Sequence, residues 1–282
     1  MKIHTLIRAA LLVCALFLVG CASTNYGDDR FELQRATQGK DVMWIPTQVE
    51  MAHQMFVMTK LSSKDLLYDL GSGDGVIPIE AAKKYRAHAM GIEYNPDLVA
   101  LSQRNAVREN VQALVTFKQG DIFIEDFSQA TVLTLYLGEN LNIKLMPKIL
   151  KMRPGTRVVS NTFPIESWIP DQERQISTGE MMYYWVVPAA IDGNWMVTGL
   201  PSGEGTRLNI VQKKQFFDGN IEVTDKRPIY FEEGKINGID LTYEFTYLNT
   251  KYVFTGQVHG SEIRGLLNND PALKVLARRA PE

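Results

Sequence analysis

The chain has 282 residues, 45% of them hydrophobic, enough for one large domain or two ordinary ones with proper cores. Lys+Arg number 30 against 32 Asp+Glu, so there is no basic field to favour nucleic acid as a partner. The histidines at 4, 53, 88 and 259 show no metal-ligand spacing, which argues against a metalloenzyme.

The first residues read as an address. Lys2 and Arg8 precede an apolar run from Ala9 to Gly20, too short for a bilayer-spanning helix of roughly 20 residues. That is signal-peptide anatomy. The run ends in Leu18-Val19-Gly20-Cys21, which resembles the bacterial lipobox. The resemblance implies removal of residues 1–20 and acylation of Cys21, a stable anchor to a membrane of the cell envelope. Ala22, not Asp, after the cysteine suggests sorting to the outer membrane. Cys14 would leave with the leader, so the mature chain would have no free thiol and no metal-ligating cysteine. Residues 21–40 are polar and aperiodic and suit a tether.

Order is expected from residue 41. Thr47 and Glu50 have capping-box spacing, and Val49, Met51, Ala52, Met55, Phe56 and Met58 supply one helical apolar face. Strand and helix patterns then alternate. "DLLYDL" is followed by "VIPIEAAKKY", "AHAMGIE" by "PDLVALSQRNAVREN", and "ALVTFKQ" by "TVLTLYL", "NIKLMPKIL" and "TRVVSNTF". Apolar strands separated by amphipathic helices predict an α/β domain with a mainly parallel sheet over residues 41–175.

Residues 176–282 differ in texture. Short runs rich in β-branched and aromatic residues begin at "MMYYWVVPA" and are divided by turn signals at Asp192-Gly193, Asp218-Gly219, Glu233-Gly234 and His259-Gly260. This predicts a second, smaller antiparallel all-β domain: a meander, sandwich or small barrel. Its aromatics, Tyr183, Tyr184, Trp185, Trp195, Tyr243, Phe245, Tyr247, Tyr252 and Phe254, mostly alternate along strands and are assigned to its core.

The chemistry-bearing stretch is "YDLGSGDG". Gly71, Gly73 and Gly75 after a strand let the backbone turn and approach a ligand, and the following helix offers free N–H groups. A dinucleotide fingerprint would need Gly at 76, where Val stands, and a Walker loop would need a lysine. Glu93 ends the second strand about 20 residues on, where a carboxylate can accept from both hydroxyls of a ribose. Capping of the next helix falls to Asn95 or Asp97.

Asp69 ahead of Gly71, Gly73 and Gly75, with Glu93 and "GDIF", resembles the S-adenosylmethionine-dependent methyltransferases of Rossmann-like fold. Together with "GIEYNPDLV", "ATVLTLYLGENLN", "PGTRVVSNTF" and "WIPDQ", the pattern is similar to the lysine methyltransferases of the ATP synthase c-subunit and the adenine nucleotide translocase. The resemblance covers residues 41–172. It implies S-adenosylmethionine as cofactor, with Asp69, Gly71, Ser72, Gly73 and Gly75 at its methionine end, Glu93 at the ribose, and Asp121 and Ile122 at the adenine. It also implies a lysine of a protein as acceptor, entering beside Tyr136, Glu139 and Asn140. Ser160-Asn161-Thr162-Phe163 departs from the family's His-Asp-Phe run.

Two expectations compete. One is a membrane-anchored methyltransferase acting on a protein. The other is an exported lipoprotein that uses the fold as a binding scaffold, since S-adenosylmethionine is made in the cytoplasm and fold does not impose activity.

Overall fold

The computed structural model describes residues 25–177, 179–203, 206–223 and 226–280. The leader and Cys21 lie outside the described residues. The chain forms two compact units, Met1–Pro46 and Thr47–Glu282.

In the first unit, residues 25–46 are a hydrogen-bonded loop, more ordered than the tether expected up to residue 40. The Asn25 side-chain oxygen accepts from the N–H groups of Gly27 and Leu33. Ala36 N–H donates to the Trp44 carbonyl, Trp44 N–H to that of Thr37, and the Tyr26 ring meets Trp44 edge-on. Leu33 is fully buried.

The second unit opens with α1 (Val49–Thr59). Its N-cap is Gln48 with no side-chain bond, so the Thr47–Glu50 capping box does not form. Met51, Ala52, Met55, Phe56 and Met58 are buried as expected, whereas Val49 is exposed. Next come β1 (Leu66–Leu70), α2 (Val76–Tyr85), β2 (His88–Glu93), α3 (Pro96–Arg108), β3 (Val115–Gln119), β4 (Val132–Leu135), α4 (Glu139–Ile149) and β5 (Arg157–Asn161). Helix α3 starts cleanly because Pro96 presets φ at its first position and the Asn95 side chain accepts from Asp97 N–H.

These strands join β6 (Gln172–Gln175) and β7 (Met181–Val186) in one sheet of order β3-β2-β1-β4-β5-β7-β6. Strands β1 to β5 are parallel, and β7 runs antiparallel to β5. The sheet therefore ends after Val186, not at residue 175. Tyr184 packs in the core of this sheet rather than in a β domain, and Trp185 lies on the same strand, its indole N–H donating to the Trp168 carbonyl.

The rest is a closed barrel: β8 (Gly193–Thr198), β9 (Thr206–Lys213), β10 (Phe216–Glu222), β11 (Ile229–Asn237), β12 (Asp240–Tyr247), β13 (Thr250–His259), β14 (Glu262–Leu267) and β15 (Lys274–Arg279). Each strand pairs antiparallel with its neighbours, and β15 closes onto β8. Inward residues alternate with outward ones. Tyr243 sits among the rings of Phe217, Phe231, Phe245 and Phe254. Two expected turns are not turns: Asp218-Gly219 lies inside β10 and Glu233-Gly234 inside β11. The register shifts between Phe217 and Gly219, and Glu233 takes a positive φ, so both glycines mark a bulge, which shares its sequence signature with a turn. The His259–Gly260 turn is as expected.

Among the described residues no helix is long and apolar enough to cross a membrane.

Candidate functional site

Every site residue named from the sequence, Cys21 aside, falls at or just beyond the C-terminal end of β1, β2, β3 or β4, the edge where parallel α/β sheets bind ligands. Gly71, Gly73 and Gly75 all have positive φ, at 75°, 53° and 87°. The loop is pinned by the N–H groups of Gly71 and Ser72 on the Ile92 carbonyl. A Cβ at Gly75 would stand 2.7 Å from the Phe117 ring and 2.8 Å from Ser102 Cβ, so only glycine fits there.

Glu93 does more than its spacing suggests. Its Oε2 accepts from Gly73 N–H at 3.0 Å and its Oε1 from Asn95 N–H at 2.9 Å. One carboxylate thus ties the glycine loop to the start of α3. Each oxygen keeps a second lone pair for a ligand hydroxyl.

Asp69 is 3% exposed and accepts from the Thr134 hydroxyl at 2.7 Å. Burial pushes its carboxyl up to about 7, with the Glu93 and Asp74 charges adding to the rise and Thr134 opposing it. Asp74, between two glycines and not singled out by its sequence context, is raised by burial to about 6 although it accepts from Val76 N–H at the start of α2. A concentration of carboxylates in low dielectric favours a cation beside it. The Ser72 hydroxyl is buried and has no partner among the described residues. A backbone turn of three positive-φ glycines, a hydroxyl unpartnered among the described residues and two carboxyls fit a nucleoside ligand carrying an amino acid group.

Asp121 lies two residues past β3, half-buried, its Oδ1 accepting from Phe123 N–H and its carbonyl from Glu125 N–H, and Ile122 beside it is half-buried. Tyr136 is half-buried beyond β4 and its ring stacks on Phe163, centroids 6.4 Å apart. Glu139 and Asn140 are exposed in the first turn of α4, whose N-cap is Gly138.

Sequence reasoning misses Asn142. It is fully buried, donates to Ser160 Oγ and the Phe163 carbonyl, and leaves its own side-chain oxygen unpartnered. Asn161 is also fully buried with an unpartnered side-chain oxygen, next to Thr162 at φ 63°. A β-branched residue there is strained. The available signal is the polar run "SNT" ending an otherwise apolar strand.

Comparisons with known proteins give the family. The family described as "ANTKMT methyltransferase domain" matches residues 69–172. A protein-lysine N-methyltransferase of Saccharolobus islandicus is 36% identical over 151 residues, 52% of this chain and 94% of that protein. The chain belongs to this methyltransferase family. The adenine nucleotide translocase lysine N-methyltransferase of Mus musculus is 34% identical over 105 residues, 37% of this chain and 46% of that protein. A solved RNA methyltransferase from Salinibacter ruber, in complex with S-adenosyl-L-homocysteine, is 42% identical, with a TM-score of 0.51, and spans 52% of this chain and 96% of that one. This chain is accordingly an S-adenosylmethionine-dependent methyltransferase of Rossmann-like fold, with a β-barrel beyond the residues 69–172 that the family model matches.

Proposed function

We propose that the chain methylates a lysine side chain of a protein and is held to a membrane of the bacterial envelope by a lipidated Cys21. The relative from Saccharolobus islandicus, a protein-lysine methyltransferase covered over 94% of its length, carries the acceptor assignment. The leader carries the anchor.

In this reading the backbone of Gly71 to Gly75 and the Ser72 hydroxyl hold the amino acid end of the cofactor, and Asp69 and Asp74 face its positive charge. Glu93 takes the ribose hydroxyls on its free lone pairs, and Asp121 and Ile122 border the adenine. The bound cofactor supplies an electrophilic methyl on a sulfonium. The protein's task is then alignment of a neutral amine. Tyr136 and Phe163 form an apolar wall that lowers the amine's affinity for its proton. The Tyr136 hydroxyl offers an acceptor to the amine, and Glu139 and Asn140 stand at the entrance. Asn142 and Ser160 fix the Phe163 carbonyl, and so the wall.

Three measurements test the parts separately. Calorimetric titration with S-adenosylmethionine should give micromolar binding that Glu93→Ala weakens. Labelled methyl transfer in an envelope extract should yield methyllysine after hydrolysis. Label in RNA instead would assign this chain the acceptor class of the Salinibacter ruber protein, and no transfer with intact cofactor binding would leave a scaffold. Palmitate labelling lost in Cys21→Ala supports the anchor, and its absence from the wild type overturns it.

A further inference from the structure

The connection from β3 to β4 holds no helix, yet its first residues wind into a turn centred on Asp121. The N–H groups of Ile124 and Glu125 donate to the Asp121 carbonyl at 2.9 and 2.8 Å, and Phe123 N–H donates to its carboxylate at 2.9 Å. The carboxylate oxygen is thereby tied to the position of Phe123, and the main chain of Asp121 to that of Glu125. Whatever fixes Phe123 and Glu125 fixes where Asp121 points.

Lys148 does this from another element. Half-buried in the last turn of α4, it donates to the Phe123 carbonyl at 3.3 Å and to the Glu125 carbonyl. Its Nζ lies 4.6 Å from the centre of the buried Phe127 ring. A cation bonded to two main-chain carbonyls over an aromatic face is a firm hold, because charge-assisted bonds are stronger than neutral ones. A second lysine, Lys118 of β3, pairs with the Glu125 carboxylate, but its side chain is 53% exposed and solvent screens it. The turn therefore rests on α4 more than on its own strand.

The same two residues that hold Asp121 by their N–H groups are held by Lys148 through their carbonyls. Phe127, buried further along, fixes where the loop goes next but not the direction of the Asp121 carboxylate. We propose that Lys148 is a positioning residue of the cofactor site: without touching the ligand it sets Asp121 against the adenine, and so carries part of the discrimination for the adenine amino group. This rests on the reading that Asp121 borders the adenine.

The test reads base discrimination, which a purely structural role would not move. S-adenosylhomocysteine and S-inosylhomocysteine, which has a carbonyl where adenine has its amino group, are titrated calorimetrically into the full chain purified in detergent. The wild type should prefer the adenine form by about tenfold or more. Lys148→Met should weaken S-adenosylhomocysteine about tenfold and S-inosylhomocysteine about threefold or less, so that the preference shrinks. Lys148→Arg, which still offers a cation to both carbonyls, should keep most of the preference, and Lys118→Met all of it. Both ligands are titrated into one preparation, so the ratio is independent of how much of a variant is folded. Equal weakening of the two ligands by Lys148→Met overturns the proposal, and so does an unchanged preference. A wild type that binds both equally fails one step earlier: Asp121 then lies away from the adenine, and Lys148 only packs a loop.

Discussion

The parallel sheet and the barrel bury polar groups in opposite ways. At the C-terminal edge of the sheet Asp69, Ser72, Asn142, Ser160 and Asn161 are all buried, and Ser72, Asn142 and Asn161 each keep an atom without a partner among the described residues. The barrel's buried residues are almost all apolar, with Thr206 and Gln215 the exceptions, and Gln215 is spent on the Ile169 carbonyl. An unsatisfied buried polar atom costs roughly 1–3 kcal/mol, a cost that a bound ligand or an ordered water recovers. The sheet edge is built for a bound molecule inside it. The barrel is built to hold its shape, and any partner must use its outside.

The first way to break this contrast is to damage the barrel core and ask whether the cofactor notices. Phe254 is 1% exposed against Tyr243, and Phe254→Ala should cost about 3–5 kcal/mol in urea unfolding. Cofactor affinity of the folded fraction should stay at the wild-type value. A matching loss of affinity would mean the two halves are one cooperative site.

The converse change comes next in size. Glu93→Ala should weaken S-adenosylmethionine by about 1–3 kcal/mol in a calorimetric titration. Because the same carboxylate holds Gly73 N–H, part of that loss is disorder of the loop. Glu93→Gln, which still accepts hydrogen bonds, should recover part of it, and no recovery would assign the whole effect to charge.

A smaller effect separates the halves by pH. The folded protein keeps a proton on Asp69 up to about 7 that the unfolded chain has released from 3.8 upward. Stability from this group therefore falls as pH rises between those values and is level above them. A cationic ligand prefers the ionised carboxylate, so cofactor affinity should rise over the same window, by at most about tenfold per pH unit for one proton. Asp69→Asn should flatten that rise, leaving the weaker contribution of Asp74 near 6. An unchanged slope would remove Asp69 from the cofactor's surroundings.

How much of this is legible beforehand follows from which forces act locally. Strands β1 to β5 announce themselves because buried parallel strands are continuous apolar runs, and the glycine loop because positive φ leaves a compositional trace. The expected aromatic core of the second domain forms at Trp195, Tyr243 and Phe245. The boundary does not show, because "MMYYWV" carries the same β-branched and aromatic content whether it edges a mixed sheet or enters a barrel. β15 is invisible for the opposite reason: Lys274, Ala277 and two arginines give little strand propensity, and only closure onto β8 holds it. Glu93 reads as a ligand group, but its bonds to Gly73 and Asn95 depend on tertiary placement that spacing cannot supply.

The smallest expected effect sharpens where one half ends and the other begins. Lys235 of β11 reaches Asp171 at 3.5 Å, an ion pair that joins the barrel to the sheet domain. Its side chain is 45% exposed and solvent screens the pair, but Asp171 is 4% exposed and its Oδ1 makes no hydrogen bond among the described residues, so Lys235→Ala should cost about 1 kcal/mol. Asp171 is held independently, since its other oxygen accepts from Val186 N–H at 2.9 Å. The junction itself is backbone: Gly155 N–H donates to the Val187 carbonyl, and Ala189 N–H to that of Gly238. If thermal unfolding of Lys235→Ala splits into two transitions, the ion pair couples the domains. A single transition at nearly the wild-type temperature places the coupling in those main-chain bonds, which no side-chain substitution removes.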